Sequence, residues 1–121
     1  MVVSSGSSGI RGVVNNGMDV ELALQVGKIT GERYGGLVAV AADTRLSGET
    51  LKSAVSAGLM AVGCEVIDLG SMPTPAFQFY VKTHDEVRGG IMVTASHNPP
   101  EYNGIKIFTK NGCKRFILPY W

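Results

Sequence analysis

Ser96 and His97, within Thr94-Ala95-Ser96-His97-Asn98-Pro99-Pro100, are the residues of this chain best placed to do chemistry. Ser96 offers a hydroxyl nucleophile and His97 a titratable ring. The segment that follows, Glu101-Tyr102-Asn103-Gly104-Ile105-Lys106, ends in a cation. Before the stretch, Gly90-Ile91-Met92-Val93 predicts a buried strand entered through a glycine pair. After it, Ile105-Lys106-Ile107-Phe108 alternates like a second strand, and the Asn-Pro and Asn-Gly pairs between the two mark turns. Ser96 and His97 are therefore expected on a loop at the end of a buried strand, where parallel α/β sheets hold their ligands. The turn returns Lys106 to the same neighbourhood. A plainer use exists for such a loop, because Ser and Asn side chains often satisfy only nearby backbone groups. A hydrolase triad fits poorly, since adjacent residues on an extended loop tend to point apart.

The rest of the chain supplies a scaffold for that loop. Met18 to Tyr34 predicts a first helix, capped near Asp19 and closed by Gly35-Gly36, with Leu22, Val26 and Ile29 as its apolar stripe. Leu37 to Ala42 is continuously apolar, as in a strand buried on both faces. It runs into Asp43-Thr44-Arg45, after which Ser47 is expected to cap a second helix carrying Leu51, Ala54, Val55, Gly58, Leu59 and Val62. Asp43 and Arg45 suit either an ion pair bracing the Ser96 loop or a simple capped strand end. Val66 to Gly70 is the next strand. Met72-Pro73-Thr74-Pro75 is a turn, and a third helix then sends Phe77, Tyr80 and Val81 inward before ending near an exposed His84. Strand, helix, strand, helix, strand is the order of two βαβ units, so the expected fold is α/β: a single domain, three layers deep, with a mostly parallel sheet. The strand around Ile105 can join in either direction.

Composition narrows the function classes. The 121 residues carry 11 Lys and Arg against 10 Asp and Glu, a formal charge of +1 without like-charge runs. Neither a nucleic-acid surface nor a membrane partner is expected, and no apolar run approaches the roughly 20 residues that cross a bilayer. Met1-Val2-Val3 gives way at once to Ser and Gly, so no signal peptide is expected. Cys64 and Cys113 form no C-x-x-C pair and are expected as reduced thiols in a cytoplasmic protein. Ser4-Ser5-Gly6-Ser7-Ser8-Gly9 has the composition of a flexible linker, yet runs directly into Ile10-Arg11-Gly12-Val13. Its glycines let backbone N–H groups approach an anion, and Arg11 adds a bidentate fork for phosphate.

Thr94 to Pro99 followed by Asn103-Gly104-Ile105-Lys106 resembles the active-site loop of the α-D-phosphohexomutases, the phosphoglucomutase and phosphomannomutase family. Gly6 to Val13 resembles that family's opening segment, with Ser7 replacing Thr and Ser5 replacing an aromatic residue. Asp43-Thr44-Arg45 with Ser47-Gly48 is similar to a third family motif. The resemblance runs from about Gly6 to Gly112 and covers only the family's first domain; three further domains are missing, and residues 113–121 depart from the pattern. It implies phosphotransfer on hexose phosphates, between the 1- and 6-positions, through a phosphoserine at Ser96 and a bisphosphate intermediate. It implies supporting catalytic roles for His97, Lys106 and Arg11, and phosphate or substrate binding by Ser8, Arg11 and Asn98. Mg2+ would meet Ser96 only through its phosphate, its main ligands belonging to a missing domain, and hexose 1,6-bisphosphate would serve as activator. The chain alone is then expected to be inactive and to pair with itself or with a complementing C-terminal chain, its apolar end at Phe116, Ile117, Leu118, Tyr120 and Trp121 marking a contact surface. The alternative is a non-catalytic truncated domain that self-associates or docks with a partner.

Overall fold

The computed structural model describes residues 3–6, 9–95, 98–111 and 114–115. In chain order these form β1 (Val3–Gly6), β2 (Gly9–Val14), β3 (Gly17–Met18), α1 (Val20–Tyr34), β4 (Leu37–Ala42) and α2 (Gly48–Ala61). There follow β5 (Glu65–Ser71), α3 (Thr74–Thr83), β6 (Val87–Val93), β7 (Tyr102–Thr109) and β8 (Lys114–Arg115). All eight strands belong to one sheet, ordered β1-β2-β7-β6-β4-β5, with β3 beside β2 and β8 beside β7.

The predicted βαβ units form the parallel part of the sheet. β4 pairs in parallel with β5 on one side and β6 on the other, and α2 and α3 make the crossovers. β7 comes back after a short connection and pairs antiparallel to β6, fixing the direction that the strand pattern left open. β2 is antiparallel to β7 and so runs with β4, β5 and β6. The sheet is thus mixed but mostly parallel. The Ser- and Gly-rich start of the chain, whose composition is that of a linker, instead contributes β1 and β2 as an antiparallel pair on the sheet's outer side.

Alternation along the strands sorts the apolar residues into two layers. Ile10, Val38, Val40, Ile91, Val93, Ile105 and Ile107 meet Ala23 and Val26 of α1 and Leu51, Val55 and Leu59 of α2. The opposite face brings Ala39, Ala41, Met92 and Phe108 against Phe77 and Val81 of α3. There Phe77 and Phe108 pack edge to face, 5.8 Å between centroids, worth about 0.5–1.5 kcal/mol beyond the area they bury. Helices on both faces of one sheet make the molecule a single three-layer α/β domain. No helix of the described residues is long and apolar enough to cross a membrane.

Three local expectations need correction. The buried face of α1 is not the stripe of Leu22, Val26 and Ile29. It consists of Ala23, Val26, Gly27, Thr30 and Gly31, with Leu22 and Ile29 only packed along its edge. Backbone contact between the helices explains the rotation: a Cβ on Gly27 would lie 2.2 Å from Val55 O, and one on Gly58 would lie 2.2 Å from Leu24 O. Only small residues fit where two helices approach so closely, so the larger ones bracket the crossing. Ser47 stands at the start of α2 but makes no capping bond with its side chain. By contrast Asp19 caps α1 as expected, Oδ1 accepting from Leu22 N at 2.9 Å. Finally, His84 is half-buried rather than exposed, stacked on Tyr80 with centroids 3.7 Å apart.

Candidate active site

The polar residues at the carboxyl ends of β4 and β6 are joined by hydrogen bonds into one structure. Asp43 leaves β4 still paired to its neighbour, its N–H donating to Val93 O at 3.1 Å. Its carboxylate then works in two directions. Oδ1 accepts from Arg45 N at 3.1 Å, closing a tight local turn. Oδ2 accepts from Thr94 Oγ1 at 2.7 Å and lies 3.5 Å from Arg45 Nε. The guanidinium of Arg45 donates to three main-chain carbonyls of the facing loop: Asn98 O at 2.7 Å, Pro99 O at 2.7 Å and Tyr102 O at 3.0 Å. The bonds to Asn98 O and Tyr102 O are partly buried and that to Pro99 O is exposed; as charge-assisted bonds they are stronger than neutral ones. Of the two uses open to Asp43 and Arg45, the brace on the loop is the one realised.

The loop is tied at its far end as well. Thr94 N donates to Gly104 O at 2.8 Å, and Asn98 N donates to Ala95 O at 3.0 Å. Gly104 is where β2, β7 and the loop converge: a Cβ there would fall 2.5 Å from Ile10 O and 2.8 Å from Thr94 O. Asn103, fully buried, donates from Nδ2 to Ser47 Oγ at 2.8 Å, while its own Oδ1 accepts from Gly104 N. Ser47 therefore uses its hydroxyl across the sheet instead of at its own helix.

Two of the cations expected at the site come from strands that flank the loop. Arg11 on β2 lies opposite Gly104 in register, and its Nη1 donates to Asn98 Oδ1 at 2.7 Å. Lys106 lies opposite Met92 on β7 and is buried, 6% exposed. Because Ile10 and Ile105 point toward α1 and α2, alternation sends Arg11 and Lys106 to the other face together. The structure thus brings Arg11 and Asn98 into contact and sets Lys106 on their face of the sheet. Ser96, His97 and Ser8 lie outside the described residues, although Thr94, Ala95 and Asn98, which flank the first two, are in place. A shallow pocket of about 280 Å³ opens beside the loop, lined by Asp43, Thr44, Arg45, Asn98 and Pro100. Both oxygens of Asp43 are already engaged, and among the described residues no three His, Cys, Asp or Glu side chains gather to hold a metal ion. These residues do not form a magnesium cage.

A charge cluster around a buried lysine escaped prediction. Lys52 of α2 is 2% exposed; its Nζ lies 2.8 Å from Asp68 Oδ1 and 3.2 Å from Glu49 Oε2. Burial pulls the ammonium's pKa down, but the hydrogen bonds and charges of Asp68 and Glu49 outweigh it and leave Lys52 above the ordinary lysine value. Burial likewise pushes Asp68 up, yet Lys52 and the Gly70 N–H hold its carboxyl below the usual range. Glu49 three residues before Lys52 was a visible helical pair; the partner on β5 was not. Cys64 is a free thiol, as expected, and packs as a small hydrophobe, its thiol pushed up by burial.

Residues 3–116 match the family described as "Phosphoglucomutase/phosphomannomutase, alpha/beta/alpha domain I". Over 108 residues the chain is 55% identical to a Thermococcus gammatolerans protein named "Probable phosphoglucosamine mutase", covering 88% of this chain and 24% of that one. It is 48% identical over 113 residues to a Thermococcus kodakarensis phosphoglucomutase/phosphomannomutase, covering 88% and 25% respectively. Among solved structures, a phosphoglucomutase/phosphomannomutase family protein from Burkholderia thailandensis superposes with a TM-score of 0.77 at 38% identity, over 88% of this chain and 25% of that one. The chain spans about a quarter of the length of the curated relatives it matches. It belongs to the phosphoglucomutase/phosphomannomutase family, whose alpha/beta/alpha domain I it forms.

Proposed function

We propose that this chain is the phosphate-carrying domain of a hexose-phosphate mutase, with Ser96 as the carrier. The observation that supports this best is the convergence of Arg11 and Arg45 on Asn98, two residues beyond Ser96, at the carboxyl end of β6. With Arg45 holding the loop's backbone, the fork of Arg11 beside a hydroxyl-bearing loop suits a group that gains a phosphate, which brings about −1.5 to −2 charges near neutral pH. In the first half-reaction the phosphorylated Ser96 gives its phosphoryl group to the free hydroxyl of a hexose monophosphate. The sugar oxygen bonds to phosphorus, the Ser96 oxygen leaves and regains a proton, and the sugar hydroxyl's proton goes to a nearby base, forming the 1,6-bisphosphate. In the second half-reaction the Ser96 oxygen takes the phosphoryl group from the other position, giving its proton to a base while the sugar oxygen that leaves regains one. This completes the 1- to 6-phosphate exchange. His97 and Lys106 are the proton carriers and charge stabilisers in this scheme. Ser8, Arg11 and Asn98 hold phosphate. Catalysis of this kind is mostly positioning and charge neutralisation. The described residues offer no magnesium cage, so the ion would need carboxylates from elsewhere in a full-length mutase, with the Ser96 phosphate as this chain's ligand. Full turnover would then require the part of a mutase that this chain does not span.

The test is to incubate the protein with glucose 1,6-bisphosphate and magnesium, alone and with the remainder of a family mutase supplied, and to map phosphate by peptide mass spectrometry. Phosphate on Ser96, lost in Ser96→Ala, is expected. Phosphate at another residue in an active preparation, with Ser96 bare, overturns the assignment. One feature favours a second reading, a non-catalytic docking module: Leu46, beside the pocket, is fully exposed at 102%. Association without phosphate uptake under any of these conditions would support it.

A further inference from the structure

We infer that Arg45, oriented by Asp43, is a positioning residue for the phosphate-carrying loop, acting through the main chain and not as a phosphate ligand. The inference rests on the reading of Ser96 as the carrier. Three observations support it. First, the Arg45 guanidinium spends three donated bonds on the carbonyls of Asn98, Pro99 and Tyr102, all within the segment that leaves Ser96 and His97. Second, the same Asp43 that orients Arg45 also accepts from Thr94 Oγ1, on the segment that enters them. One strand-end pair thus holds the loop on both sides of the two residues. Third, Arg11 is differently engaged: its Nη1 donates to the Asn98 side chain. The two arginines thus grip the loop in different ways: Arg11 holds the Asn98 side chain, while Arg45 fixes where the backbone runs.

This difference has a chemical signature. A planar fork can serve several carbonyls at once, whereas the ammonium of lysine is a compact point donor. Charge alone at position 45 should not suffice. Misplacing a reacting group by about 1 Å can cost on the order of 10²-fold in rate, so a positioning residue should act on the transfer step more than on affinity for the donor.

The experiment measures the rate of phosphate uptake on Ser96 from glucose 1,6-bisphosphate, against donor concentration, in wild type, Arg45→Ala and Arg45→Lys. The expected result is a maximal rate about 10²-fold lower in both variants, with the half-saturating donor concentration little changed. Added guanidinium, well below denaturing concentrations, should restore Arg45→Ala by about tenfold or more, since a free fork can refill the site. A residue that merely stabilised the fold would not be rescued in this way. Arg45→Ala within twofold of wild type, or Arg45→Lys at the full rate, overturns the inference. If wild type takes up no phosphate even with the remainder of a family mutase supplied, the carrier reading fails, and amide hydrogen exchange then judges the clamp by itself. Exchange at Asn98 and Tyr102 faster by about tenfold in Arg45→Lys, with Val40 in β4 unaffected, supports it; unchanged exchange overturns it.

Discussion

The crossing of α1 and α2 and the polar rim at the carboxyl ends of β4 and β6 solve the same problem by opposite means. Each brings segments remote in sequence into close contact. The helices do so by removing atoms: Gly27 and Gly58 let one backbone touch the other, and nothing polar is needed. The rim does so by adding directed bonds, with Asp43, Arg45, Ser47 and Asn103 each reaching across to another segment. Shape holds the scaffold, where only closeness matters. Hydrogen bonds hold the rim, where direction matters, because a catalytic loop must be aimed as well as held. The two regions should therefore fail differently: the crossing by unfolding, the rim by misplacement first.

Enlarging the crossing is the severest test. A Cβ at position 58 would lie 2.2 Å from Leu24 O and 2.9 Å from Lys28 N, and backbone cannot swing aside as a side chain can. Gly58→Ala is expected to cost about 3 kcal/mol, the upper part of the overpacking range, seen as a lower urea midpoint with unchanged slope. A variant as stable as wild type would mean that the helices separate freely, and the contrast with the rim would collapse.

The rim should show a smaller loss of a different kind. Ser47→Ala removes the acceptor of Asn103 Nδ2, and Asn103 is fully buried. Leaving such a donor without that bond costs about 1–3 kcal/mol. Helix content should not fall, because Ser47 makes no side-chain cap to α2. Far-UV circular dichroism with urea titration separates the two roles. Loss of helix at unchanged cross-sheet exchange would restore Ser47 as a cap.

Asp68→Asn probes a third kind of contact, charge at a sheet edge, and its effect should be the smallest. Asp68 is half exposed, which weakens its hold on Lys52, so about 1 kcal/mol is expected. The signs follow from the two directions. The folded Asp68 carboxyl titrates below the ordinary value of about 3.9, so its contribution is present above that pH and is lost as pH falls through the lower folded value. Folded Lys52 titrates above about 10.4; its contribution is present below that pH and is lost as pH rises through the higher folded value. Urea midpoints followed from acid to alkali should lose the acid slope in Asp68→Asn and keep a weakened alkaline one, since Glu49 still faces Lys52. An unchanged acid slope would show the pair to be inert.

The same contrast explains what was legible in the sequence. Runs such as Leu37–Ala42 and Gly90–Val93 declare buried strands because burial is written residue by residue, and the βαβ order follows from them. Asp19 as a cap was legible because a cap and its partner are three residues apart. The brace by Asp43 and Arg45 was legible as one of two uses; what decided between them lay more than 50 positions away. Ser47 misled for that reason, its partner Asn103 being 56 residues on. The inward face of α1 misled because large apolar residues dominate a periodicity count, while a glycine contact registers as nothing. Lys52 was hidden by the habit of reading lysine as solvent-facing, since only the fold brings Asp68 beneath it.

One feature bears on how the chain reaches this form. β2 gains its sheet neighbour from β7, so Ile10 pairs with Ile105, and the Arg11–Asn98 bond joins residues 87 positions apart. Closing so long a loop costs entropy before any contact repays it, and non-local pairings of this kind slow folding. On a ribosome the first strands synthesised would wait, unpaired with the sheet, until nearly the whole domain had emerged. The arginine arriving with β2 would then be among the last groups to reach the loop, so that assembly of the domain and closure of the Arg11–Asn98 contact become the same event.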